Sequence, residues 1–232
     1  MNKNSSAQIL AGALGLVLAL SGCAVAGTAE KAALPKTTED GLALVPDSKA
    51  DAVYRRPGIS LAGYTKIVLI DPKVSFRANW QSDTNHNRMM DRIDNDDVER
   101  MIATGESLLT EEFTGELTKG GYNVVKTKGP DVLAVRVAIV DLDVFAPQPN
   151  GMGSWGKTYS EGTGAATMVV ELYDSVTGQL LARAYDRKDD RNSGWAGAHS
   201  SASNMADARW VINEWAKMLV KGLTRAKAAP AS

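Results

Sequence analysis

The chain has 232 residues, 26 Lys+Arg against 27 Asp+Glu, 44% hydrophobic residues, two His and one Cys. A net charge of −1 gives no electrostatic footprint for a nucleic-acid binder, and a charged fraction of 23% is that of a globular chain, not a disordered one. Two His and one Cys supply almost nothing for a His/Cys zinc site or a Cys–His nucleophile pair.

At the N-terminus Lys3 precedes an apolar run over residues 9–20, too short for a permanent bilayer-spanning helix, which takes about 20 residues. This is the pattern of a secretory signal, and residues 1–22 are assigned to it. The run ends in Leu20-Ser21-Gly22-Cys23, which resembles the lipobox of bacterial lipoproteins. The resemblance implies cleavage between Gly22 and Cys23, diacylglycerol on the Cys23 thiol, and an N-acyl group such as palmitate on the new amine. One acyl chain gives marginal membrane binding and two or three give a stable anchor, because each buried methylene contributes about 0.8 kcal/mol. Ala24 stands where an Asp would resemble the inner-membrane retention signal, which implies the outer membrane, on its periplasmic face. The mature chain has no second cysteine, so it folds without disulfides in an oxidising compartment.

Residues 23–60 read as the lipidated N-terminus and a flexible tether: Ala, Thr, Pro, Gly and charge without sustained period, with Leu42 and Leu44 able to dock. Pro57-Gly58 is a turn signal. A single domain is expected over residues 61–228, with a disordered tail at 229–232. Residues 66–76 (KIVLIDPKVSF) predict a strand with a bulge or edge at Pro72, which cannot donate to a ladder. Residues 94–118 predict a helix, its stripe formed by Val98, Met101, Ile102, Leu108, Leu109, Phe113 and Leu117. Asp96 with Glu99 reads as its capping box, and Gly120-Gly121 as its stop. A short strand at 122–127 and a long apolar, central one at 132–145 follow. Residues 164–173 and 180–187 predict a hairpin turning at Val176-Thr177-Gly178. A final helix over 205–225 carries Ala208, Val211, Ile212, Trp215, Leu219 and Leu223 on its buried stripe.

The order β-α-β-β-β-β-α predicts an α+β two-layer sandwich, a mostly antiparallel five-stranded sheet with two amphipathic helices packed on one face. Val53-Tyr54-Arg55-Arg56-Pro57-Gly58, then residues 64–72 (YTKIVLIDP), then Val74, Phe76 and Trp80 resemble bacterial lipoproteins of the domain of unknown function 3313 family. The likeness covers most of residues 40–225. It implies a lipid-anchored envelope protein and brings no catalytic residues.

Five features are candidate sites. Asp83, Asn85, Asn87, Asp91 and Asp94 place oxygen ligands at positions 1, 3, 5, 9 and 12 of an EF-hand-like loop, which makes calcium the metal to consider. Arg88 stands where that loop needs Gly, no helix is evident before Asp83, and a polar loop capping the next helix explains the same residues. Residues 151–156 (GMGSWG) spell a dinucleotide fingerprint but lead into a strand, where a pyrophosphate needs a helix N-terminus. The 186–204 loop holds Asp189, Arg191, Trp195, His199, Ser200 and Ser201, without the elbow or oxyanion pattern of a hydrolase. Trp80, Trp155 and Trp195 fall in predicted loops and, with Arg191, form a candidate partner-binding surface. Lys217, Lys221 and Arg225 recur every four residues and read as a solvated, dipole-complementing face.

The expectation is therefore a non-enzymatic, lipid-anchored envelope protein. It would touch the membrane through its anchor, bind an envelope protein or glycan, bind no nucleic acid, and carry no cofactor beyond its covalent lipid. A small-ligand or metal-binding domain, or an unrecognised hydrolase built on the 83–94 and 186–204 loops, is the alternative.

Overall fold

The computed structural model describes residues 34–86, 88, 92–144, 159–161, 164–189, 196–198 and 201–228. Its elements are β1 (Ala43–Leu44), β2 (Ala52–Arg55), β3 (Lys66–Phe76), α1 (Trp80–His86), α2 (Asn95–Lys119) and β4 (Asn123–Val124). They continue with β5 (Val132–Val144), β6 (Tyr159–Glu161), β7 (Gly164–Asp174), β8 (Leu180–Asp189), β9 (Ala196–Ala198) and α3 (Ser201–Ala228). The main sheet has seven strands in the order β1-β2-β8-β7-β5-β3-β4, and β6 pairs with β9 separately.

The sheet is mixed, which corrects the expected five-stranded, mostly antiparallel one. β3 pairs parallel with both β4 and β5, and the other pairs of the main sheet are antiparallel. Parallel partners need a long crossover, and the 25 residues of α2 supply it. At Pro72 the register slips between Ile70 and Lys73, so the expected bulge forms. Since β4 covers only Lys66 and Ile67, the rest of β3 is a sheet edge and can accommodate a missing donor.

Helix α2 begins one residue later than its pattern predicts. The capping box is Asp94 with Asp97, not Asp96 with Glu99: the Asp97 N–H donates to Asp94 Oδ1 (2.8 Å) and the Asp94 N–H to Asp97 Oδ2 (3.0 Å). Gly120 caps the other end, and Gly121 follows at φ 84°.

Register fixes which side chains share a face. Val135, Val137 and Ile139 of β5 pair with Leu172, Val170 and Met168 of β7, and the Leu172 and Val170 rows run on to Ala182 and Ala184 of β8 and then to Arg55 and Val53 of β2. Both long helices bury their stripes on this face, α2 through Leu108, Leu109, Phe113 and Leu117, α3 through Ile212, Trp215, Ala216 and Leu223. Helices on one face of a sheet was the expectation, and it holds for α2 and α3. On the opposite face the row Arg183–Glu171–Arg136 is charged: Arg183 Nε donates to Glu171 Oε1 (2.8 Å), and Arg136 pairs with the same carboxylate. Polar stitching joins the helices, with Arg209 on Glu111 and Glu112 and the Asn213 amide on Glu112 and Glu116.

Folding begins well before residue 61. Leu34–Ser232 forms one compact unit, β2 completes four register pairs with β8, and Leu42 and Tyr54 are buried with Ala52 in a small cluster. Of the tether expected over residues 23–60, Ala43–Leu44 and Ala52–Arg55 thus belong to the sheet. Its apolar residues were too few and too widely spaced to show a period, yet Leu42, Leu44, Ala52 and Tyr54 pack together once β8 offers an unpaired edge.

Candidate functional site

A cavity of about 400 Å³ opens on the helix-facing side of the sheet, at the β2–β8 end. This lies within the range of roughly 300–1,000 Å³ common for small-molecule sites. Met168, Val170 and Leu172 of β7, Ala182 and Ala184 of β8, and Val53 of β2 form its floor. Met218, Leu219, Gly222, Leu223 and Ala226 of α3 form its roof, and residues 45–50 its front wall.

Small residues make the hollow. Where β5 and β7 present Val, Leu, Ile and Met to the helices, β8 presents Ala182 and Ala184. In the helix above, Gly222 lacks the side chain that would descend, and a Cβ built there meets nothing within 4 Å. Gly within a helix costs about 1 kcal/mol relative to Ala, so no local preference favours it at this position.

The mouth is cationic. Lys49, Arg55, Lys221 and Arg225 line the cavity, and Asp47 is the one acidic lining residue among the described residues. Lys49, Lys221 and Arg225 are exposed and Arg55 is half-buried. The Arg183 backbone also borders the cavity, but its side chain points to the opposite face, onto Glu171 and Asp40. An apolar interior with an electropositive rim can hold an apolar chain and neutralise an anion at its end.

A second polar centre sits at the hairpin turn. The Tyr64 hydroxyl donates to Asp174 Oδ2 (2.8 Å), while Asp174 Oδ1 accepts from the Val176 and Thr177 N–H groups and the Thr177 hydroxyl. Burial and this hydrogen bond push the Tyr64 phenol up to about 12. The Thr177 backbone bond, with the Tyr64 and Thr177 side-chain bonds, holds the Asp174 carboxyl below the usual carboxylate range. These bonds order a turn; they are structural.

The sequence-predicted site residues are placed as follows. Trp80 is 2% exposed, stacked on Phe76 at 4.0 Å, and donates from Nε1 to the Val144 carbonyl (3.0 Å). It packs with Ile93, Val98, Met101 and Val144 in a satellite core, so its assignment to an exposed binding surface is corrected. The segment around it is not a loop: α1 spans Trp80–His86. Asp83 pairs with Arg77 (2.5 Å), the buried Asn85 side chain bonds both the N–H and the carbonyl of Ile93 (2.8 Å each), and Asp94 caps α2. Each of these expected calcium ligands is committed to a protein partner, and the described residues contain no group of three or more His, Cys, Asp or Glu arranged to hold a metal. Asn87, Asp91, Trp155, Trp195, Arg191, Gly22 and Cys23 lie outside the described residues, as does the 151–156 motif. Of the 186–204 segment, residues 186–189 end β8, 196–198 form β9, and 201–204 begin α3.

Two features escaped the sequence. One is the cavity, whose only signal was alanine at the inward positions of β8 and glycine inside a helix. The other is Trp210, 66% exposed on α3, which sits off the helix's apolar stripe. Lys221 and Arg225, read as a solvated face, stand at the cavity mouth. Among the described residues, no helix is long and apolar enough to cross a membrane.

Comparison with solved structures finds low-identity likenesses. The PelC dodecamer from Paraburkholderia phytofirmans is 14% identical, covering 72% of this chain and 95% of that one, with a TM-score of 0.34. A minor lipoprotein from Acinetobacter baumannii is 12% identical over 70% of this chain and 94% of its own, TM-score 0.31. A DUF4136 family protein from Bacteroides thetaiotaomicron is 12% identical over 74% and 94%, TM-score 0.33. Comparison with curated proteins finds no match. The model of the family described as protein of unknown function (DUF3313) matches residues 37–219, from the segment before β1 into the last turns of α3, and the chain belongs to that family.

Proposed function

We propose that this chain is a non-enzymatic, lipid-anchored protein of the bacterial cell envelope, held to the periplasmic face of the outer membrane through acyl groups on Cys23, and that its folded unit binds an envelope component. The observation that carries the binding half is the cavity between β8 and α3, whose front wall is residues 45–50 of the same N-terminal segment that leads back to Cys23. The eleven Cα–Cα steps from Cys23 to Leu34 span at most about 40 Å when extended. The domain therefore works within that distance of the bilayer, where envelope lipids and proteins are its neighbours. The anchor itself rests on the lipobox-like sequence ending at Cys23.

Fractionation of cells producing the wild type and Cys23→Ser, with mass spectrometry of the N-terminal peptide, tests this reading. The wild type is expected in the outer-membrane fraction, beginning at Cys23 and carrying diacylglycerol and an N-acyl group, and the serine variant in the soluble periplasm. A serine variant that still sediments with membranes, or a wild type cut elsewhere and unmodified, contradicts it.

A further inference from the structure

We infer that the cavity under α3 is a binding site for a single-chain amphiphile: an acyl chain lying between β8 and α3, with an anionic headgroup held at the mouth by Lys49, Lys221 and Arg225. The inference rests on the envelope reading above for its source of ligand, and on the cavity alone for its chemistry. Three observations converge. The interior is lined by aliphatic side chains and backbone, which reward an apolar chain and offer no hydrogen-bonding pattern for a sugar or a nucleotide. About 400 Å³ is at the small end of ligand cavities, a size for one chain and not two. The charged side chains at the mouth are four cations against one carboxylate, and Lys49, Lys221 and Arg225 have no carboxylate partner among the described residues.

Lys221 and Arg225 lie one helical turn apart on α3, with Lys49 on the facing wall, so an oxyanion between them meets cations from two elements. Gly222, beside Lys221, keeps the passage beneath them open. A carboxylate and a phosphate both satisfy this mouth, so a fatty acid and a lysophospholipid share the required chemistry.

The test uses the lipidated protein in phosphatidylcholine vesicles, with a diazirine-bearing palmitate as photoprobe. Labelled peptides are expected from residues 45–55 and 218–226, and excess palmitate or lysophosphatidylglycerol should suppress labelling; whichever competes better identifies the headgroup. Competition by saturated fatty acids should strengthen about fourfold per added methylene until the cavity is filled. Dodecyltrimethylammonium, a cationic amphiphile, should not compete. Gly222→Leu should fall at least tenfold in labelling while melting no lower than wild type, and Lys221→Glu/Arg225→Glu should lose labelling with the fold intact by circular dichroism. Label spread over the surface, equal competition by the cationic amphiphile, or full labelling of a folded Gly222→Leu overturns the inference. Labelling of Cys23→Ser alone would put the protein's own acyl group in the cavity and equally overturn it. A wild type without lipid that still takes the probe, by contrast, refutes the anchor and leaves this site standing.

Discussion

The same sheet face is packed in two different ways. Under α2, Phe113, Leu109 and Leu117 are fully buried in one cluster with Ile67, Leu133, Val135 and Val137. Under the last turns of α3, the facing residues are Ala182, Ala184 and Gly222, and a hollow remains. A helix half that buries large residues is fitted for stability. One that leaves small residues over a gap gives up packing, and the gap is then available to a ligand. The contrast separates a filled half of the layer, at β3 and β5, from a hollow half, at β2 and β8, where binding is proposed.

Substitutions should respond in opposite directions on the two halves. Phe113→Ala, on the filled side, is expected to lose about 3–5 kcal/mol of stability in urea unfolding, because the surrounding residues cannot collapse into the space. A loss below 1 kcal/mol would mean the α2 side is no better packed than the other. Asp174→Ala should lose about 1–3 kcal/mol, since Tyr64 and two backbone N–H groups are left without their acceptor. On the hollow side, Gly222→Leu should gain up to about 1 kcal/mol from helix propensity, where inserting bulk into a filled core costs about 1–3 kcal/mol. Destabilisation of that size at Gly222 would show that the hollow closes in solution.

The smallest effect is a pH dependence confined to the hairpin turn. The Tyr64 phenol is raised from 10.0 to about 12, so its contribution to stability is fully present below pH 10 and is lost as pH rises through 12. Asp174 is shifted the other way, so its contribution is present above the unfolded carboxylate value, near about 4, and is lost as pH falls through its lower folded value. Tyr64→Phe should flatten the alkaline loss, followed by circular dichroism between pH 9 and about 12. An unchanged alkaline profile would assign that loss to other groups.

What the sequence disclosed, and what it concealed, follows the same physical division. β3, β5, the β7–β8 hairpin and the two long helices were legible because each carries enough apolar residues to show a period of 2 or 3.6. β1 and β2 were missed because two to four residues show no period, and their stability comes from the β8 edge. α1 read as a polar loop because its buried residues are a single tryptophan and an asparagine, Trp80 and Asn85, and the asparagine is held by the Ile93 backbone, distant in sequence. The EF-hand-like spacing was ambiguous from the start, because oxygen side chains at ligand spacing also suit a helix end and a cap, which is how Asp94 is used. The cavity was invisible because it is an absence of side chain, and periodicity registers only what is present.

The most direct test of the account is the melting temperature of the purified protein with increasing dodecanoate, wild type against Gly222→Leu. A ligand that binds only the folded state raises it in proportion to the logarithm of free ligand above its dissociation constant. The melting temperature is expected to rise for the wild type and to stay flat for Gly222→Leu. A wild type that does not respond, or two proteins that respond alike, would contradict it.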